Sequence, residues 1–161
     1  VLRRILEGLG LSRSLPRAVP YTHPRYGHFA DDGTGIHEHV KVEWDGRSVF
    51  FAPDSLGGVV IEDSFDTMDA LLQDTERWNQ ETRATIIRDC YPLWAENWFD
   101  PGAHQHLTEN QFADRLILQS ICTGEGGSVS FYFDDDEIFG EHAVVAFGTL
   151  QGGIEEATME G

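Results

Sequence analysis

Ser128–Gly161 reads SVSFYFDDDEIFGEHAVVAFGTLQGGIEEATMEG, and the fold turns on how these residues are parsed. Ser128–Phe133 is a short apolar run, Asp134–Glu137 is an acidic turn, and Ala143–Leu150 is a second apolar run. A glycine-rich tail follows. Two apolar runs of strand length joined across a polar turn predict antiparallel strands that share a buried face.

Upstream, the same period of two recurs. In Ile36–Trp44 the residues Ile36, Val40, Val42 and Trp44 fall on one face, with His37, His39, Lys41 and Glu43 on the other. Asp45-Gly46 is a hairpin signal and Arg47–Ala52 is the return strand. After a loop at Pro53–Asp63 the period changes. Phe65, Met68, Leu71, Leu72, Thr75 and Trp78 recur at helical spacing, with Asp63 or Ser64 placed to cap the start. Ala84, Ile87, Tyr91, Trp94 and Trp98 make a second helical face, and Pro92 within it predicts a kink or break. The tryptophans read as anchors of these helices on a sheet. Asp100-Pro101-Gly102 ends that segment. Thr108 with Gln111 forms a capping box, leading into a strand near Leu116–Cys122. The expected fold is α+β: one antiparallel sheet of about five strands with two or three helices on one face. Residues 26–161 then form a single domain, preceded by a basic N-terminal arm at residues 1–25.

The C-terminal residues also carry a likeness. Phe131–Asp136, Phe139, His142–Phe147 and Ala157–Gly161 supply the pattern of strand, Asp-rich turn, aromatic, histidine, apolar strand and closing Ala-x-x-x-Gly. In this the chain resembles an uncharacterised bacterial family, domain of unknown function family 2262. The resemblance implies the layout above across most of residues 26–161 and a bacterial lineage, but no activity. One position departs from the pattern. Where the family has an aromatic and then glycine before the histidine, this chain has Gly140 and Glu141.

Charge narrows the partners. The chain has 161 residues, 40% of them hydrophobic, with 28 acidic against 11 basic residues and a net charge of −17. Residues 1–25 hold five arginines against Glu7 alone, whereas residues 26–161 hold six basic and 27 acidic residues. A body this acidic repels phosphate backbones and anionic lipid headgroups, so nucleic acid is not an expected partner, whereas a basic protein is. High negative charge also serves solubility alone, and both readings stand. No apolar run is long enough to span a bilayer. The arm places Val1, Leu2, Ile5, Leu6 and Leu9 at helical spacing. It reads as a short helix docked on the acidic body, a loose terminus, or a surface-binding helix. Val1 stands where an initiator methionine is expected, which reads as a fragment or a trimmed product. Cys90 and Cys122 lie far apart, and reduced thiols in a cytoplasmic protein is the simpler reading.

Chemistry could reside in the acidic run or the histidines. Asp134, Asp135, Asp136 and Glu137 could hold a hard divalent cation, or form a solvated turn that meets a basic partner. The run fails as an EF-hand loop, since Phe139 stands where glycine is needed and Val145 where glutamate is. His37 and His39 alternate along a strand and could share a metal with His142, Asp134 or Asp136. His104 and His106 form a second pair in a loop. The serine-elbow, zinc-protease and phosphate-loop signatures are absent. Two functions follow: a non-enzymatic acidic binding module, inhibitor- or immunity-like, for a basic protein, and a metal-dependent hydrolytic enzyme using His and Asp ligands. The first is preferred, with no required cofactor.

Overall fold

The computed structural model describes residues 18–31, 37–56, 59–60, 62–99, 106–140 and 142–160. Strands β1 (Tyr21–His23) and β2 (Gly27–Phe29) form a small hairpin, and β5 (Ser55–Leu56) with β6 (Val59–Val60) another. The main sheet has six strands in the order β10-β9-β8-β7-β4-β3. These are β3 (Val40–Trp44), β4 (Arg47–Pro53), β7 (Ile117–Thr123), β8 (Ser128–Asp134), β9 (Ala143–Thr149) and β10 (Gly153–Glu160). Three α-helices, α1 (Asp63–Leu71), α2 (Thr75–Leu93) and α3 (Glu109–Arg115), lie between β4 and β7 in the chain.

The α+β class and the five expected strands are present, with two differences. First, the sheet is mixed: β4 and β7 run parallel, pairing Phe50 with Ser120 and Phe51 with Ile121. The helices between them form the crossover that a parallel pair requires. Second, the glycine-rich tail is a full edge strand, β10, paired to β9 through Glu160 and Ala143. Its pairing shifts register between Ile154 and Glu156. At Gly148 a Cβ would lie 2.0 Å from the carbonyl oxygen of Gly153, so only glycine lets β10 approach there.

The local signals worked where they were backbone chemistry. Asp45 and Gly46 both hold positive φ, 49° and 75°, as a tight hairpin between β3 and β4 demands. Both hydrogen bonds of the Thr108–Gln111 capping box are present at α3. The helices differ in detail. Neither Asp63 nor Ser64 caps α1, because the helix already includes both. The run from Phe65 to Trp78 is two helices, broken where the Asp74 carboxylate accepts the Arg77 N–H and caps α2. The buried face of α2 is Trp78, Thr82, Thr85, Ile86 and Cys90, offset from the expected Ala84–Ile87–Tyr91 face. The chain stays helical through Pro92 and then widens into a π turn at Trp94–Trp98. Trp44, Trp78 and Trp94 are buried anchors, but Trp98 is 39% exposed.

Burial alternates along β4: Val49, Phe51 and Pro53 are buried while Phe50 is exposed. Phe51 enters a ring cluster with Tyr26, Phe29 and Phe65. Residues 18–25, which charge alone placed with the basic arm, take part in this packing. Tyr21 and His23 stack on Phe65, and Arg25 pairs with Asp69 at 2.5 Å. Residues 1–17 of the arm, with Ile36, Gly57-Gly58 and Asp100-Pro101-Gly102, lie outside the described residues.

An edge strand exposes a row of backbone donors and acceptors that invites pairing with another chain. Along β10 that row is met by side chains of α2. Thr85 donates to the Ile154 carbonyl at 3.3 Å and Arg88 to the Glu155 carbonyl at 2.8 Å. Asp89 accepts the Ala157 N–H at 3.0 Å and Glu81 the Ile154 N–H at 3.4 Å. Arg88 also grips Asp89 with two bonds of 2.6 Å. That guanidinium, with the Ala157 N–H, holds the Asp89 carboxyl below its ordinary value against the opposing effect of burial. A carboxyl depressed in the folded state stabilises above its unfolded pKa, and the contribution is lost as pH falls through the folded value. Asp89→Asn is therefore expected to lower the urea midpoint at pH 7, and the difference from the wild type to shrink as pH falls below the ordinary carboxylate range. A difference of equal size at pH 7 and below that range would show that the charge of Asp89 does not matter.

Candidate functional site: the acidic turn and its aromatic rim

The turn between β8 and β9 is built by its own carboxylates. Asp135, expected to be solvated, is 5% exposed. Its Oδ1 accepts the Glu137 N–H at 3.2 Å and its Oδ2 the Phe139 N–H at 2.6 Å. Its carbonyl accepts from Ile138 at 2.9 Å. Asp134 Oδ1 accepts the Asp136 N–H at 2.9 Å. These bonds hold Asp136 and Glu137 at positive φ, 46° and 63°, where non-glycine residues are uncommon. Arg115, at the end of α3, donates to Asp136 Oδ2 at 2.8 Å and to its carbonyl at 2.7 Å. The four acids thus have distinct roles. Asp135 is a buried acceptor, Asp136 is paired, and Asp134 and Glu137 present charge to solvent.

Behind the turn stands an aromatic group. Phe139 is fully buried and meets Phe112 and Trp98 edge-on. The His142 ring is 5.3 Å from that of Trp98, and its Nδ1 lies 2.8 Å from the Phe139 carbonyl. A carbonyl only accepts, so Nδ1 carries the proton and Nε2 is left to other partners. Gly140 takes φ of 77°, so the left-handed residue stands two positions before the histidine. Glu141 lies outside the described residues. Together Tyr132, Asp134, Asp136, Glu137, Gly140 and His142 line an open cleft of about 610 Å³. Trp98, 39% exposed, packs on His142, one of the residues of that lining.

The structure brings His142, Asp134 and Asp136 to this one cleft and leaves the other histidines elsewhere. His37 precedes β3, is buried, and places Nε2 2.7 Å from the Val19 carbonyl. His39 is exposed on another part of the surface, above Phe50, so the pair does not point to one place. Their alternation fails because β3 begins only at Val40. His106 packs on Trp94 and Phe99, and His104 lies outside the described residues. Among the described residues no three His, Cys, Asp or Glu side chains converge in a manner that could hold a metal ion.

A second concavity lies at the carboxyl ends of the parallel strands β4 and β7, where His39, Asp54, Cys122, Ser128, Ser130 and Tyr132 meet. Crevices at such strand ends commonly take ligands in open α/β sheets. A thiol nucleophile is disfavoured here. Burial and the Asp54 charge push the Cys122 thiol up to about 11, far from the thiolate that reacts. Cys90, on the buried face of α2, is pushed up to about 12 by the same loss of solvent.

Sequence reasoning missed Trp98 and Arg115. In sequence Trp98 looks like one more helix anchor, and the signal that separates it is Pro92, after which the helix widens into the π turn. Arg115 stands far from the turn in sequence, and nothing in the spacing pairs them. No helix among the described residues is long and apolar enough to cross a membrane. Comparison with curated proteins and with solved structures gives no significant match. A family model does match residues 25–159, nearly the whole chain, and on that match the chain belongs to the family described as uncharacterized protein conserved in bacteria (DUF2262).

Proposed function

We propose that this chain is a non-enzymatic binding module that takes a basic segment of a partner protein on its acidic turn. The observation that carries the reading is the cleft that gathers Asp134, Asp136, Glu137 and His142, with the partly exposed Trp98 packed against that histidine. A guanidinium that reaches the cleft can pair with Asp134 and Glu137 and lie over the indole face. Charge and aromatic surface there act on the same group. Tryptophan flanked by charge is a frequent energetic centre of protein interfaces.

Among the described residues, five of the seven arginines and lysines are already engaged, which favours an external cation. Arg25, Arg77, Arg83, Arg88 and Arg115 each pair with a carboxylate of this chain. The remaining acid excess steers a basic partner and speeds its arrival. An inhibitor- or immunity-like protein that covers a basic surface by imitating a phosphate backbone has this character.

The test uses an arginine-rich peptide as probe, titrated by calorimetry at low and moderate salt. Glu137→Gln is the informative change, because no backbone group depends on that side chain as Asp135 and Asp136 are depended upon. Binding is expected to weaken about tenfold across the salt range and about three- to tenfold on Glu137→Gln or Trp98→Ala. Glu43→Gln, on β3 and away from the cleft, serves as control for general charge. Equal losses at Glu43 and Glu137 would mean that only net charge attracts the peptide, and the cleft reading would be abandoned.

A further inference from the structure

The main sheet has a second face. The buried apolar side chains of α1, α2 and α3 all join one core with Val49, Phe51, Ile121 and Phe131. By register the opposite face carries Phe50, Ile117, Cys122, Tyr132, Val145 and Phe147, and none of these belongs to that core. Phe50 and Ile117 are 40% and 46% exposed, and Val145 is buried between its register partners Tyr132 and Thr158. Tyr132 lines both the acidic cleft of about 610 Å³ and the β4–β7 crevice of about 480 Å³, so the two join into a groove along this face. A sheet that is apolar on both faces needs a cover on each.

The charge of this face selects its cover. Glu43, Asp134 and Glu160 are exposed on it. Among the described residues its one lysine or arginine is Lys41, which lies over the Phe50 ring. A second copy that presents the same face is repelled, as is an anionic surface. Residues 1–17, outside the described residues, have the opposite character. They hold Arg3, Arg4, Arg13 and Arg17 against Glu7 alone, and place Val1, Leu2, Ile5, Leu6 and Leu9 on one helical stripe. The chain also enters the described fold beside the groove. His37 Nε2 lies 2.7 Å from the Val19 carbonyl, and His39, two residues on, lines the crevice. Residues 10–17 can extend about 26 Å, against about 24 Å across six strands, so they reach any part of the face.

We infer that residues 1–9 form an amphipathic helix that lies in this groove and covers the second face of the sheet. Ile5, Leu6 and Leu9 pack on Tyr132, Phe147 and Ile117, while Arg3 and Arg4 extend to Asp134 and Glu160 at the margins. Residues 10–17, with Pro16, are the extended tether. A free helix of nine residues is marginal in water, so this one is ordered only by the sheet. The contact is internal to the chain and does not rest on the reading of the acidic turn.

Hydrogen exchange of the full chain, read by mass spectrometry, tests it without any partner. Amides of residues 3–9 are expected to exchange at least about tenfold more slowly than in a free peptide of residues 1–17. Leu6→Asp, outside the core, should return them to the peptide rate and leave β8 and α2 as protected as in the wild type. Ile117→Lys, at an exposed position of the sheet, should do the same by removing apolar surface and adding like charge. If that variant fails to fold, Glu160→Lys at the exposed end of β10 asks the same question, with a rise in exchange of about threefold expected. Wild-type exchange at the peptide rate would overturn the docking. Protection unchanged in Ile117→Lys or Glu160→Lys would overturn the assignment to this face. Protection lost on dilution, together with a dimer at high concentration, would place the helix on a neighbouring copy and overturn the internal contact.

Discussion

Phe51→Ala is expected to lower the free energy of unfolding by about 3–5 kcal/mol, enough to remove much of the stability of a domain this size. Phe51 has no exposed surface, and its ring centre lies 5.1 Å from Tyr26, 5.9 Å from Phe65 and 6.2 Å from Phe29. Truncation removes that transfer energy and leaves a void bounded by two strands and α1, which cannot all close inward at once. The neighbouring residue gives the contrast. Phe50 is 40% exposed on the opposite face of β4, so Phe50→Ala should change stability by about 1 kcal/mol or less. Urea unfolding of the two variants, followed by tryptophan fluorescence, checks both numbers. Equal losses at Phe50 and Phe51 would mean that the sheet is packed on both faces.

Asp135→Ala is expected to destabilise by about 2–4 kcal/mol, an effect unusual for an acidic residue in a turn. Two backbone N–H groups, those of Glu137 and the buried Phe139, lose their acceptor together. Asp136 and Glu137 would then lack what holds them at positive φ. Asp135→Asn keeps one acceptor oxygen and should fall between. Because Phe139 supports Trp98 and His142, the alanine variant should also weaken the arginine-rich peptide more than Glu137→Gln does. Denaturant titration and near-ultraviolet circular dichroism report the two losses. A variant as stable as the wild type would show that Arg115 and Gly140 hold the turn without the buried carboxylate.

The period of two and the hairpin dipeptide were enough to read the five expected strands, because both follow from local backbone geometry. The sixth, β10, was hidden by its bulge. Ile154 and Ala157 are buried three residues apart, with Glu155 and Glu156 both exposed between them, so the alternation that marks a strand is broken. The break between α1 and α2 was hidden for the opposite reason, since Leu71, Thr75 and Trp78 keep helical phase across it. Parallel pairing of β4 with β7 left no local trace. Within the acidic run the four side chains are alike in sequence. Only the turn geometry makes Asp135 an internal acceptor and Glu137 a surface charge. His37 shows the same limit, because its burial follows from where β3 begins and not from its neighbours.

The parallel seam also bears on how the chain acquires its structure. The β3–β4 hairpin and the β7–β10 meander each form from nearby residues, but Phe50 and Ser120 meet from about 70 residues apart. Closing so long a loop must precede any gain from pairing, so the search for that contact sets the pace of folding. The chain should fold on a scale of milliseconds to seconds rather than microseconds. Until the seam closes, the inner edges of β4 and β7 stand open together, and that interval is when two copies can exchange halves.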